Sequence, residues 1–204
     1  MIITAADLAA MDKLQRVQLA TSLPGAKPIC LVGTISEDGD KNLAPFSSVT
    51  HLGSNPALLG MVTRPDTVER HTLRNILATE QWTLNHVTEE IVEQAHHCSA
   101  RYPEDTSEFE VTELNPEFLE NFTAPFVKES PIRIGMILED VLDIKANNTK
   151  LIIGRVELVD LPVGALSDDG SINLPELGSL ASTALDTYFS LNYLTKLPYA
   201  KPKK

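Results

Sequence analysis

The sequence predicts a mainly β protein, an antiparallel barrel with peripheral helices, and three observations carry the prediction. Over 132–144 six of seven even positions are apolar, the period-two signature of a strand with one buried face. Glu37-Asp38-Gly39-Asp40 and Asn147-Asn148 punctuate apolar runs as hairpin turns, because Gly and Asn accept positive φ. Helical stretches lie between the strands with no repeat and no Pro/Gly/Ser-rich linker, so all 204 residues are assigned to one domain.

Taken in order, Thr4 followed by Asp7 begins a helix with Leu8, Met11 and Leu14 at helical spacing, within an N-terminal helical extension over 1–23. Apolar and β-branched residues predict a strand over 29–35, and its return strand runs over 42–50. Pro45 inside that return demands an edge, a bulge or a kink, because proline donates no ladder hydrogen bond. A third strand is expected over 57–63. The chain then turns helical over 64–80, with Leu73, Ile76 and Leu77 on one face. An Asp66/Glu69 capping box competes with Thr72 for that helix's start. Strands follow over 82–87 and 151–161, with a helix over 89–100 and an acidic, loop-rich stretch to 123. After Asp168-Asp169-Gly170 a helical or irregular segment carries Leu177, Leu180 and Leu185, before a frayed tail over 198–204.

The formal net charge of −11 is unevenly spread. Between 77 and 127 eleven acidic residues stand against Arg101 alone, while 24–76 carries five of each sign. A small anionic ligand therefore belongs on the first third. Nucleic acid is excluded as a partner, since backbone binding needs a concentrated basic surface. No run of about 18 apolar residues occurs, which excludes a membrane helix, and the N-terminus lacks the features of a signal peptide. Cys30 and Cys98 read as free thiols of a reducing compartment, so a cytoplasmic location is expected.

Familiar catalytic motifs are missing. No two of the ten glycines stand closer than six residues, which excludes GxGxxG and the P-loop; GxSxG and HExxH are absent too. His96 and His97 would point about 100° apart on a helix, so with His86 they do not converge on a metal. Cys30 in an apolar strand reads as inert filling. No catalytic residue and no metal ligand is predicted. One region differs: Ser47, Ser48 and Thr50 follow Pro45, and Thr63, Arg64, Arg70, His71 and Thr72 supply donors at a strand end and a helix start. Hydroxyls, a guanidinium fork and free helix amides suit a phosphate monoester. The same residues also suit a polar barrel edge and a solvated helix face.

Six segments in order resemble the flavin reductase-like, FMN-binding split-barrel family, across most of the chain. KPICLVGTISEDGDKNLAPFSSV resembles its opening hairpin with Asn-x-Ala-Pro-Phe/Tyr-Ser, and DTVERHTLRNI its Lys-Asp-Thr-x-x-Asn-Ile segment. WTLNHV resembles the next strand, and SARYPEDTSEFE the Ser-Ala-x-Tyr-Pro…Glu-Phe stretch. APFVKESPIRIGMILEDVLDI and KLIIGRVELVDL resemble the paired strands that complete the barrel.

The resemblance implies a Greek-key split barrel, usually a homodimer with an FMN near each subunit interface. It implies that Asn42, Ala44, Pro45, Phe46, Ser47, Ser48 and Val49 line the flavin ring and reach toward its phosphate. Arg70, His71 and Thr72 would grip that phosphate, with Arg64, and Thr63 beside it, close by. Arg70 replaces the family's Lys and adds a bidentate fork; His71 replaces its Asp and removes a negative charge; Lys27 stands where an Arg often begins the first strand. The implied activity is that of an NAD(P)H:flavin reductase, with hydride passing from NADH or NADPH to flavin N5. Reduced flavin would serve a partner oxygenase, or electrons would pass to another acceptor. The alternatives are a flavoprotein without free-flavin activity and a non-catalytic barrel that has lost flavin. Tyr188, Phe189 and Tyr193 either cover a flavin across the dimer interface or pack in a core or interface.

Overall fold

The computed structural model describes residues 1–65, 70–103 and 106–202. Thr4 and Asp7 close a reciprocal capping box, Thr4 Oγ1 accepting from Asp7 N at 3.2 Å and Asp7 Oδ2 from Thr4 N at 2.7 Å, and start α1 (Ala5–Ala10). The expected single helix breaks at Asp12. Its carboxylate accepts from Leu14 N and Gln15 N and caps α2 (Lys13–Ser22). β1 (Lys27–Pro28) and β2 (Cys30–Ile35) follow, and a turn with Gly39 at φ +94° leads back into β3 (Lys41–Phe46).

β3 stops at Phe46 instead of running to 50, and β4 (Thr50–Ser54) begins a separate hairpin with β5 (Ala57–Thr63). Pro45 fits because β3 is an edge strand. Leu43 N points away from β2 and donates to Glu108 Oε2 at 2.9 Å. Pro45, two residues on, shares that outward direction, so its missing N–H removes no bond to β2.

α3 (His71–Thr79) is shorter than the helix expected over 64–80. The Asp66/Glu69 cap lies outside the described residues. Thr72 caps nothing: it is buried in the first turn, and Arg70 occupies the N-cap without a side-chain bond. β6 (Gln81–His86) and α4 (Val92–His97) follow, the latter shorter than 89–100. The acidic stretch contains α5 (Glu108–Thr112) and β7 (Pro116–Glu117), and β7 pairs with β8 (Phe126–Val127). β9 (Arg133–Ile144) and β10 (Thr149–Asp160) form the longest hairpin. The helical or irregular reading of the C-terminal part is corrected by β11 (Leu180–Thr183) and β12 (Thr187–Ser190). β11 finds in β1 an edge to pair with, Lys27 opposite Ser182, and that long-range pairing overrides the leucine spacing. The described part of the tail, to residue 202, has no secondary structure and is exposed.

The large sheet runs β3-β2-β6-β9-β10-β5-β4. A flat sheet of seven strands would hold its edges about 29 Å apart. Four residue steps from Phe46 to Thr50 reach about 14 Å at most, so the sheet curls until β3 and β4 approach. The result is a Greek-key split barrel.

β9 contains the clearest departure from simple alternation. Leu138 pairs with Gly154 and Asp140 with Ile153, which leaves Glu139 as a bulge. Even positions face the core up to Leu138; beyond the bulge Val141 takes the inward place and Leu142 is 46% exposed. One extra residue has exchanged the two faces.

β2 is buried on both faces. Cys30 and Val32 enter the barrel interior with Met61, Trp82 and Met136, and Leu73 and Ile76 of α3 close that cluster. Ile29 and Leu31 face a second cluster with Leu43, Ala95 and Phe109, which draws α4 and α5 over the sheet. No helix among the described residues is long and apolar enough to cross a membrane.

Candidate functional site

β3, the start of α3 and the chain after α4 border a cavity of about 800 Å³, within the usual range for small-molecule sites. Of the predicted site residues, Asn42, Ala44, Pro45, Phe46, Ser47 and Ser48 line it from β3 and the loop beyond. Thr63 and Arg64 line it at the end of β5, and Arg70, His71 and Thr72 at the start of α3. Val49 does not; it packs against the barrel interior.

Buried amides lock this wall in place. Asn42 Nδ2 donates to Thr72 Oγ1 at 3.0 Å and lies 3.3 Å from Thr34 Oγ1, which also accepts from Asn75 Nδ2 at 3.2 Å. β3 and α3 are thereby fastened together. The Thr72 hydroxyl, accepting from Asn42, keeps its own proton for a ligand. Ser48 plays a different part from its neighbour. Its Oγ donates to Val62 O at 2.9 Å and accepts from Val62 N at 3.1 Å, splicing the loop onto β5.

Two wall residues carry incomplete hydrogen bonding. Thr63 Oγ1 and Arg70 Nε are buried and have no partner among the described residues. An unpaired buried polar atom costs about 1–3 kcal/mol, so both residues fit a bound oxygen-rich group such as a phosphate.

The electrostatics match. Among the described lining residues Lys27, Arg64, Arg70 and Arg101 are cationic and Glu108 alone is acidic, in a chain of net charge −11. Burial raises the Glu108 carboxyl, against the opposing pull of the Leu43 N–H and His71. Cys98 also borders the cavity, but burial pushes its thiol up to about 12, as it does for Cys30. Neither thiol is an activated nucleophile. His86 Nδ1 lies 3.0 Å from Ser179 Oγ and His96 Nδ1 lies 3.0 Å from Tyr188 Oη, so each histidine has a hydroxyl partner.

Other wall residues were not assigned from sequence. Arg101 and Tyr102 fall within the SARYPEDTSEFE segment, but that likeness gave them no role. Thr21 and Pro24 carry no signal of their own, and a helical or irregular reading of the last segment hides Ala184 and Leu185 in the β11–β12 turn. Tyr188 packs against the outer cluster, whereas Phe189 and Tyr193 are 43% and 66% exposed.

Solved structures share this architecture, and three of them illustrate the likeness. A candidate flavin reductase with split barrel domain from Shewanella frigidimarina is 42% identical and superimposes with a TM-score of 0.95, covering 98% of this chain and 100% of its own. Nitrilotriacetate monooxygenase component B from Bacillus cereus, at 24% identity, gives 0.84 over 97% of this chain and 98% of its own. An FMN-binding protein from Thermus thermophilus, at 19%, gives 0.70 over 86% of this chain and 95% of its own. The last two show likeness of fold alone. With residues 25–172 matching the family's model, this chain belongs to the flavin reductase-like domain family.

Proposed function

We propose that the chain binds FMN in the cavity and acts as a flavin-dependent oxidoreductase of the NAD(P)H:flavin reductase type. The observation that carries the reading is the pair of buried atoms without a partner among the described residues, Thr63 Oγ1 and Arg70 Nε, on the wall of one cationic cavity. Bound FMN would supply a ring nitrogen, N5, able to accept hydride from NADH or NADPH.

The placement of the lining residues supports the following tasks. Arg64, Arg70, Thr63 and Thr72 would hold the phosphate by charge and hydrogen bonds. Asn42, Ala44, Pro45 and Phe46 make a wall fixed by the Asn42–Thr72 bond, against which the ring would lie, and Ser47 and Ser48 continue it. His71 stands where the family has a carboxylate and lightens the negative charge beside the phosphate. No acid, base or nucleophile is required of the protein, whose task is to orient the reactants and exclude water.

The Thermus thermophilus neighbour's binding of FMN supports the choice of flavin, and the monooxygenase component from Bacillus cereus supports delivery of reducing power to a separate oxygenase. A homodimer, as the family resemblance implies, belongs to the same reading. The buried unpaired thiols Cys30 and Cys98 accord with a cytoplasmic setting.

The test begins with an absorption spectrum of the protein as purified and identification of any released flavin. FMN titration should quench flavin fluorescence, and NADH or NADPH oxidation should respond to FMN. Absence of quenching would overturn FMN binding. Quenching without nicotinamide oxidation under any flavin condition would overturn the reductase reading and leave a flavoprotein of another kind.

A further inference from the structure

The cavity has a second cationic end, around Lys27. The β2–β3 register pairs Thr34 with Asn42 and Cys30 with Phe46. Asn42, bonded to Thr72, therefore marks one end of β3, and four extended residues carry Phe46 about 13 Å away. Lys27 precedes Cys30 by three residues and continues past that far end. Its Nζ donates to Thr21 O at 3.1 Å and Gly25 O at 3.3 Å, and it forms no ion pair with a described residue. An ammonium has three donors, so one remains for a ligand in the cavity that Lys27 lines.

Chain outside the matched family residues 25–172 builds the wall around it. Thr21 approaches from α2 and Pro24 from the chain just after it, and Ala184 and Leu185 from the β11–β12 turn. Gln18 Nε2 donates to Asp186 Oδ2 at 2.8 Å and ties the two pieces together. Ala184 and Leu185 both adopt left-handed backbone, φ +55° and +64°, which residues with a Cβ disfavour. Tyr188 Oη donates to Leu185 O at 3.1 Å and helps hold that turn. Strain retained in a latched turn at a cavity wall is a feature of ligand-positioning sites.

We propose that Lys27, framed by Thr21 and Leu185, is an anion-accepting subsite that positions the phosphates of a nicotinamide dinucleotide beside the flavin. The proposal rests on the flavin reading above. It assigns donor affinity to Lys27 and leaves flavin affinity with Arg70 and Thr72.

FMN-loaded protein is titrated with NAD⁺ and NADP⁺, which bind without reacting, in the wild type and in Lys27→Met, Lys27→Gln and Lys27→Arg. Loss of a charge-assisted bond should weaken dinucleotide binding roughly ten- to a hundredfold in Lys27→Met. Lys27→Gln keeps N–H donors for the Thr21 and Gly25 carbonyls, so it removes the charge with least disturbance of the wall and should show the same loss. Lys27→Arg should restore binding. FMN affinity should hold throughout, and added salt should weaken dinucleotide binding more in the wild type than in Lys27→Gln. In turnover, KM for the donor should rise while kcat is maintained. Failure of the wild type to bind FMN overturns the functional reading. Tight FMN binding with no dinucleotide binding, with Lys27→Gln indistinguishable from wild type, or with FMN affinity falling in parallel, overturns the Lys27 subsite alone.

Discussion

Asn42 on β3 donates to Thr72 on α3 at 3.0 Å, a buried bond between residues thirty positions apart. It fixes the distance between the cavity's strand wall and its helix wall, and Thr34 and Asn75 extend it into a network. Thr72→Val should therefore act twice. It leaves the Asn42 amide with only the longer contact to Thr34, at a cost of about 1–3 kcal/mol, and it deletes a hydroxyl from the proposed phosphate site. Urea unfolding should give a lower midpoint with an unchanged slope, and FMN titration a weaker affinity. Unaltered stability would mean that the network carries no net energy.

Thr63 offers the opposite combination. Its Oγ1 is buried and has no partner among the described residues, so Thr63→Val removes an uncompensated polar atom with little change of shape. Without ligand the variant should be as stable as the wild type or gain up to about 1 kcal/mol, yet bind FMN less tightly. Arg70→Glu should weaken FMN binding by about 1.5–3 kcal/mol, ten- to a hundredfold. Fluorescence titration reads both variants, and an unchanged affinity in Arg70→Glu would remove Arg70 from the site.

The legible parts of the fold were those where local chemistry decides. The Gly39 turn, β5 and the Thr4–Asp7 capping box need no distant partner to specify them. Elements that depend on distant pairing were hidden: β11 exists because β1 offers it an edge, and Leu177 and Leu180 alone stand at the i, i+3 spacing of a helix. The Glu139 bulge was hidden too, since the even positions resume as apolar at Leu142 and Ile144 although the extra residue has exchanged the faces. The site shows the same division. Residues 42–48 and 70–72 lie in compact stretches with suggestive chemistry. Lys27 and Leu185 reach the same cavity through the β1–β11 pairing, which sequence spacing does not reveal.

Gly33 tests how closely the barrel is packed. A Cβ there would lie 2.1 Å from Pro125 O and 2.6 Å from Thr83 Oγ1. Those atoms cannot easily retreat, because Thr83 Oγ1 donates to Pro125 O at 2.6 Å and accepts from Asn85 Nδ2 at 2.9 Å. Gly33→Ala should thus cost about 3 kcal/mol or more, at the upper end for overpacking, through loss of a buried polar network. Thermal and urea unfolding measure it. A loss below about 1 kcal/mol would show that the segment around Pro125 can shift freely.

His86 predicts a pH dependence. Burial pulls its imidazole from the ordinary 6.5 down to about 4, so the folded protein keeps it neutral where the unfolded chain protonates it. Between pH 6.5 and about 4 the unfolded state binds more protons, and stability falls as pH falls. Below about 4 this contribution levels off. The full difference corresponds to roughly 3 kcal/mol, an upper figure for a residue that retains some solvent contact. His86→Gln can keep a hydrogen bond to Ser179 Oγ, which lies 3.0 Å from the ring nitrogen, and has no charge to gain. Urea unfolding of both proteins from pH 7 to 4 should show the wild type losing more stability than the variant, the gap opening below about pH 6.5. Carboxylates titrate alike in both proteins and cancel in the comparison. Parallel curves would show that His86 is protonated as readily in the folded chain as in the unfolded one.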